Sequence, residues 1–121
     1  DAYRQKGVPT NVRLVEADVR AVPLPAESID VASSIATLHE TEGDLGLEHL
    51  LPALRSPGRV VIVDFRVEAT TLEGGPPVSH RIGNETATAI FRPRFEQVTI
   101  EDVGEIMFGL VASGKRPVAR A

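Results

Sequence analysis

Residues 60–65 read VVIVDF, and this stretch decides the fold class of the chain. From Val60 to Val63 the side chains are all apolar and β-branched, without the alternation of a half-exposed strand. Such a run predicts a strand that is buried on both faces, as in the middle of a parallel sheet. Arg59 opens this predicted strand, and Ser56-Pro57-Gly58 just before it is predicted to end a helix.

The elements ahead of this strand follow the order of an α/β fold. Ile29–Leu38 predicts an earlier strand, and a shorter apolar run over Val12–Val15 predicts another before it. Leucines up to Leu54 are spaced mostly three and four apart, which predicts a helix with Asp44 as its N-cap, although Pro52 limits its regularity. Strands and a helix in this order predict helices layered on a largely parallel sheet.

The end of the chain predicts one more helix and a pair of strands. Asn84 is a suitable cap for a short helix over Thr86–Phe91, which Pro93 would end. Phe95–Val103 and Ile106–Ala112 both have strand character. Because so few residues join these two strands, they must be antiparallel, since a parallel return needs a longer connection.

Composition restricts the classes of function that are open to the chain. Of its 121 residues 42% are hydrophobic and 25% are charged, and the net charge is -4. These values are typical of a globular protein, and no apolar run reaches the ~18 residues of a membrane helix. The absence of cysteine excludes a disulfide framework, a thiolate nucleophile and a zinc knuckle. We expect a cytoplasmic location.

The sequence carries no motif for nucleic acid, phosphate or metal. Aromatic residues make up 4% of the chain, and its basic residues are mostly scattered, so we expect no nucleic-acid partner. His39, His49 and His80 lack the tight spacing of a helix-borne zinc pair, and we expect no metal site. The phosphate-loop, GxGxxG and GxSxG patterns do not occur.

Polar residues at the strand ends are the candidates for a ligand site. In an open α/β sheet the ligand lies outside the carboxyl ends of the strands, which nominates Asp18, residues 34–40 and Asp64. Asp18 has an alternative role, because an aspartate after a strand often caps the loop that follows. His39 next to Glu40 suggests a general base, but adjacent residues on a strand point to opposite faces and do not readily pair.

Two longer stretches, taken together, resemble a known family. Residues 14–40 read LVEADVRAVPLPAESIDVASSIATLHE, and residues 54–66 read LRSPGRVVIVDFR. The features of these stretches follow one another in the order that is typical of class I S-adenosylmethionine-dependent methyltransferases, which they resemble. The order is an acidic residue, a proline-containing loop, a strand ending in Leu-His, and a Pro-Gly turn before an apolar strand. The chain is most similar to the quinone-biosynthesis and arsenite methyltransferase-like group, which Gly75-Pro76-Pro77, Arg81 and Ile82 also resemble.

The resemblance implies a Rossmann-like methyltransferase sheet with a C-terminal antiparallel strand pair, and S-adenosylmethionine as the cofactor. Asp18 would accept a hydrogen bond from the adenine amino group, and the backbone of Val19 would contact the adenine edge. Ser34 would lie near the methionine part of the cofactor. Val22 and Leu24 would cover the face of the purine.

The resemblance also implies a small-molecule methyl acceptor. Methyl transfer is an in-line displacement that needs orientation and closeness more than an acid or base of the protein. His39, Arg66 and His80 are then candidates to line the acceptor pocket. His39 would be the base if the acceptor is a hydroxyl.

In that family the sheet has the strand order 3-2-1-4-5-7-6, and a glycine-rich cofactor loop follows its first strand. This loop is absent here and would lie upstream of Asp1. We therefore expect residues 1–121 to be a single partial domain, with the missing N-terminal half as a partner and with poor or no cofactor binding by the chain alone. The alternative is a non-catalytic α/β interaction module, or an inactive fragment of a methyltransferase, whose unpaired strand edge recruits a partner chain.

Overall fold

The structure is a computed structural model that describes residues 7, 9–35, 46–66 and 81–116. Within these ranges the chain forms four strands, two short α-helices and a 3₁₀ helix. In chain order they are β1 (Ile29–Ile35), α1 (Leu47–Leu50), the 3₁₀ helix (Leu51–Ala53), β2 (Leu54–Phe65), α2 (Asn84–Phe91), β3 (Phe95–Val103) and β4 (Met107–Lys115).

The strands form one sheet in the order β1-β2-β4-β3. β1 and β2 are parallel, whereas β4 is antiparallel to both β2 and β3. This confirms the parallel pair and the antiparallel pair that the sequence predicts. The order β1-β2-β4-β3 also matches strands 4, 5, 7 and 6 of the strand order that the resemblance implies. This match confirms the α/β methyltransferase-like fold.

The strand register assigns the residues in the middle of the sheet to one of two faces, because directly paired residues point to the same side. Val60 pairs with Ala112, and Ile62 pairs with Leu110, which pairs in turn with Ile100. This side is the core face. Its centre is fully buried under residues from both α-helices and the 3₁₀ helix, chiefly Leu47, Leu50, Leu51, Ala87 and Phe91.

The opposite side of the sheet, here called the open face, is largely exposed, with apolar residues at its centre on β2 and β4 and polar residues on most of β3. Val61 and Val63 of β2 lie on it and are only partly buried, while Val111 of β4 is 40% exposed. On the edge strand β1, Val31 and Ile35 of the same face are 52% and 71% exposed. The prediction that β2 is buried on both faces therefore holds for only one face in the described part of the chain.

The predicted strand over Val12–Val15 is wrong. These residues have no strand structure, and Val12 and Val15 are 48% and 53% exposed. A strand needs a neighbour that completes its hydrogen bonds, and the described residues provide none for this segment. In the strand order that the resemblance implies, two further strands separate the equivalent segment from β1.

The predicted leucine helix is much shorter than expected, and Ser56-Pro57-Gly58 lies inside β2 rather than at a helix end. Pro52 has no N–H to continue the helical hydrogen bonds, so α1 ends at Leu50 and the 3₁₀ helix follows. Within β2 the register shifts between the pairs Ile29–Leu54 and Val31–Arg59. The Ser-Pro-Gly residues form the bulge that takes up this shift, with Gly58 at a φ of 76°. Asp44, the predicted N-cap, lies outside the described residues, and Gly46 occupies the N-cap position of α1.

The C-terminal elements follow the sequence closely. β3 has the predicted bounds, and β4 begins at Met107 and continues to Lys115, three residues beyond the predicted end. α2 begins at Asn84, which is therefore its first residue and not the predicted N-cap; Gly83 occupies the N-cap position, without a side-chain hydrogen bond. The helix ends at Phe91, whose ring stacks on that of Phe95 with centroids 6.1 Å apart. The stacked pair joins the end of α2 to the start of β3 and so holds the helix on the core face.

Two neighbouring residues of β4 test the assignment of the faces. We expect Leu110→Ala to lower the free energy of unfolding by about 2–5 kcal/mol, because Leu110 is fully buried on the core face. Val111→Ala, on the open face of the same strand, should cost less than about 1 kcal/mol. Urea denaturation followed by circular dichroism measures both, and equal losses would contradict the assignment.

Candidate functional site

The carboxyl ends of β1 and β2 form the edge of the sheet at which the sequence predicts a ligand. The two strands are parallel, and Ile35 pairs with Val63, so both end on the same side. Ser34 lies at the end of β1, while Asp64 and Arg66 lie at the end of β2. His39, Glu40 and His80 lie outside the described residues.

Asp18 forms a tight turn ahead of β1. Its backbone carbonyl accepts hydrogen bonds from the N–H groups of Ala21 (2.9 Å) and Val22 (3.0 Å). Its side-chain Oδ1 accepts a third from the N–H of Arg20 at 2.8 Å. This is the loop-capping role that the sequence allows for Asp18. The other carboxylate oxygen, Oδ2, makes no hydrogen bond with any described residue.

The turn at Asp18 is held against α1 by two contacts. The Nε2 atom of His49 hydrogen-bonds to the carbonyl oxygen of Val22. At Gly46, just before α1, a Cβ atom would lie 2.9 Å from Cγ of Arg20, so only glycine allows this approach. From the sequence, His49 is predicted only to lie on a helix. Its contact with Val22 could not be predicted from local spacing, because the two residues are 27 positions apart.

Ser34 has a buried hydroxyl without a partner in the described part of the chain. The residue pairs with Ile62 and therefore lies on the core face of β1. An unpaired buried hydroxyl costs about 1–3 kcal/mol, so the position favours an added polar group. No hydrogen bond between described residues joins Ser34 to Asp18 or Val19, and Val19 is 36% exposed.

Arg66 is engaged by the turn between β3 and β4. Its N–H donates to the carbonyl of Ile106 at 2.8 Å, and its Nη1 donates to that of Glu105 at 3.1 Å. Its Nε lies 3.3 Å from a carboxylate oxygen of Asp102. These contacts fasten the end of β2 to the hairpin, and a role of Arg66 in an acceptor pocket stays a prediction.

Two further polar residues are buried near the end of β2. Asp64 is 1% exposed, and its Oδ1 accepts the N–H of Phe65 at 2.7 Å. Arg81 is 9% exposed and donates to the carbonyl of Arg66 at 3.3 Å. The sequence nominates Asp64 by its place at a strand end. Burial of Arg81 was not predicted, because a long cation is rarely buried and no local pattern marks it.

Of the residues predicted to cover the purine, Leu24 packs against the hydrophobic core and Val22 is half-buried. Their contact with a cofactor stays a prediction. Among the described residues, no cluster of three or more His, Asp or Glu side chains has the arrangement of a metal site. None of the described helices has the length and apolar character needed to cross a membrane.

The chain has a curated relative in the ubiquinone/menaquinone biosynthesis C-methyltransferase UbiE of Idiomarina loihiensis. The two are 35% identical over 66 residues, which are 54% of this chain and 26% of that enzyme. No protein-family model matches the chain. Among solved structures, a SAM-dependent methyltransferase from Aquifex aeolicus superposes with a TM-score of 0.74 at 22% identity, over 93% of this chain. The chain is therefore similar to S-adenosylmethionine-dependent methyltransferases, in sequence over about half of its length and in fold over nearly all of it.

A protein of Sulfolobus solfataricus classed as a type 11 methyltransferase has the same methyltransferase fold. It superposes with a TM-score of 0.67 at 24% identity over 88% of this chain. The chain covers 60% of the length of each of these two methyltransferase structures. Each of them therefore contains further polypeptide that the present chain does not span.

Removal of the His49 imidazole tests how the turn at Asp18 is held. We expect His49→Ala to speed amide hydrogen exchange at Ala21 and Val22 about fivefold or more, because a lost hydrogen bond of ~1 kcal/mol loosens the turn. Glu48→Ala, one residue earlier on α1, is the control, since Glu48 is exposed and its side chain contacts Arg94 instead. Equal exchange in both variants would show that His49 does not hold the turn.

Proposed function

We propose that this chain forms the distal part of the catalytic domain of an S-adenosylmethionine-dependent enzyme that methylates a small molecule. The observation that carries this proposal is the strand order β1-β2-β4-β3, combined with 35% identity to a C-methyltransferase over half of the chain. In this proposal residues 1–121 are one partial domain, and the polypeptide that completes it is its partner. The proposal includes the cytoplasmic location expected from the sequence.

The cofactor-binding role of Asp18, Val19 and Ser34 is supported by the chemistry of the positions. Oδ1 of Asp18 is used by its own turn, which fixes the carboxylate, while Oδ2 has no described partner and suits the adenine amino group. Val19 follows directly in the same turn and is exposed. The unpaired hydroxyl of Ser34 suits a polar group of the methionine part.

S-adenosylmethionine supplies an electrophilic methyl group on a sulfonium when it is bound. The role of this chain would be to orient the two reactants and to keep water out. Orientation and closeness are most of what such a displacement requires. His39, Arg66 and His80 remain our candidates for the acceptor side. Of these, His39 would take the proton if the acceptor loses one during the reaction.

A second candidate function is an interaction module without catalysis. It is favoured by β1, which has only β2 as a neighbour among the described strands and presents an exposed strand edge. Such an edge can accept a strand from another chain. Under this reading Asp18 would do no more than cap its turn, and the cofactor would not bind.

Chemical-shift titration of the chain with S-adenosylhomocysteine distinguishes these two functions. We expect weak, millimolar binding, with shifts centred on the amides of Asp18, Val19 and Ser34, because the chain holds only part of the site. Asp18→Ala should weaken this binding by about tenfold or more, since it removes an acceptor that is charged. Glu16→Ala is the matched control, because this exposed carboxylate lies two residues away.

Two results would contradict the proposed function or its details. Absence of shifts at these amides at the highest soluble concentration would favour the interaction module. Micromolar binding by the chain alone would instead refute the statement that the site is incomplete.

A further inference from the structure

β3 is the outer strand of the described sheet, and one of its edges has no strand partner there. The strand order is β1-β2-β4-β3, so β3 pairs with β4 on one side and with no described strand on the other. The N–H and C=O groups of every other residue of β3 therefore point away from the sheet. In the strand order that the resemblance implies, the equivalent strand is the last, and the strands that this chain lacks lie beyond β1 instead.

The middle of this outer edge is apolar on the core face. Val98 and Ile100 pair with buried residues of β4, which places both on that face, and they are half-buried against the hydrophobic core. A cleft of about 420 Å³ lies beside Ile100, between β3 and α2, and its lining includes Thr88 and Ala89. An apolar side chain that enters this cleft from outside the sheet would extend the core.

The two ends of the outer edge carry opposite charges. At its start, Arg92 and Arg116 line a second cavity, of about 490 Å³, together with residues 95–99 of β3. The Nε atom of Arg116 donates to the carbonyls of Arg92 (3.3 Å) and Phe95 (3.2 Å), which fixes its guanidinium at this end. At the far end, Glu101 and Glu105 are exposed. Neither of these carboxylates, nor the guanidinium of Arg92, forms an ion pair with a described residue.

This arrangement selects the kind of strand that can cover the edge. Such a strand must bring acidic groups to the start of β3 and basic groups to its end, with apolar side chains between them. In an antiparallel pair the start of one strand lies beside the end of the other. A second copy of β3 meets all three requirements, because its acidic end lies at the basic start of the first copy and the reverse holds at the other end. Self-complementarity of this kind is what a symmetric dimer needs.

We propose that the chain forms a symmetric dimer in which β3 pairs antiparallel with β3 of a second copy. The pair is centred on Thr99, so Val98 of one copy lies beside Ile100 of the other on the core face. Pro93 is then opposite Glu105 of the second copy, whose carboxylate comes within reach of Arg92. Because the pairing uses the outer edge of β3 in both copies, no further copy can add at this edge. The dimer depends neither on the cofactor nor on methyl transfer.

The same centre brings one pair of like charges together, Glu96 and Asp102 of the second copy. Both carboxylates are already placed within their own chain. A Cβ atom at Gly114 would lie 3.4 Å from Oε2 of Glu96, so this carboxylate is turned towards β4 and away from the outer edge. The Nε atom of Arg66 lies 3.3 Å from a carboxylate oxygen of Asp102 and compensates its charge. The repulsion across the new pair is therefore reduced.

Sedimentation equilibrium of the full chain tests the proposal, and we expect a dimer with a micromolar dissociation constant. Arg92→Glu and Glu105→Arg should each weaken the dimer about fivefold or more, because each variant brings like charges together at both ends of the pair. Arg59→Glu and Glu16→Arg are the matched controls. They make the same changes of charge at exposed residues away from β3 and should leave the dissociation constant within about twofold.

The two charge variants also provide a test by rescue. Mixed in equal amounts, the Arg92→Glu and Glu105→Arg chains should form a heterodimer with nearly the affinity of the original dimer, because opposite charges then meet at both ends. A chain with both substitutions should dimerise by itself for the same reason. A defect in folding could not produce this recovery, and circular dichroism of each variant measures its folding directly.

A lysine at the centre of the pair locates the contact on the outer edge. Thr99→Lys should weaken the dimer about tenfold or more, since Thr99 is exposed and the two lysines would face each other. Val111→Lys is the control, because Val111 pairs with Thr99 on the same face but lies on β4, away from the outer edge.

Three outcomes would overturn the proposal. The first is that the chain stays monomeric up to millimolar concentration. The second is that neither the mixture nor the double variant recovers the affinity that the single charge variants lose. The third is a dimer that Thr99→Lys leaves intact or that Val111→Lys weakens equally, which would place the contact on another surface, such as the edge of β1.

Discussion

The pairing of β2 with a neighbour on each side is the constraint on which the rest of the structure depends. β2 is parallel to β1 and antiparallel to β4, and this register sets the face of the paired residues in the middle of the sheet. Because the faces alternate along a strand, a shift of one residue would turn Val60 and Ile62 away from the helices. The apolar side chains of β2 make such a shift less costly than in an alternating strand. In the observed register Phe108, Leu110 and Ala112 of β4 are fully buried, whereas Val111 on the other face is 40% exposed.

The candidate cofactor site depends on this same core. α1 lies on the core face through Leu47 and Leu50, which are both buried there. His49 lies between these leucines and is half-exposed, so that it reaches the carbonyl of Val22 and holds the turn that begins at Asp18. The carboxylate is thus positioned by a helix that the sheet positions in turn. Substitutions that alter the packing of α1 would therefore shift Asp18 even where they do not contact it.

The sequence predicts the parts of this structure that depend on local pattern. The strand β3 and the helix α2 lie within two residues of their predicted bounds. β2 contains the predicted apolar run but begins at Leu54, five residues before the predicted start at Arg59. Val12–Val15 has strand composition but no strand, because pairing depends on a neighbour that local sequence does not reveal. The contact between His49 and Val22 and the burial of Arg81 also depend on residues distant in sequence. Asp18 and Ser34 were nominated by their places at strand ends, and the family resemblance implies their ligand roles.

Three unusual features of the molecule have a common physical basis. Among the described residues, Val12 and Val15 have no strand partner, the apolar centre of the open face has no helical cover, and the hydroxyl of Ser34 is buried without a partner. In each case a group lacks the burial or the hydrogen bond that such groups usually have in folded proteins. In a complete methyltransferase sheet, further strands, a second helical layer and the cofactor would satisfy them respectively.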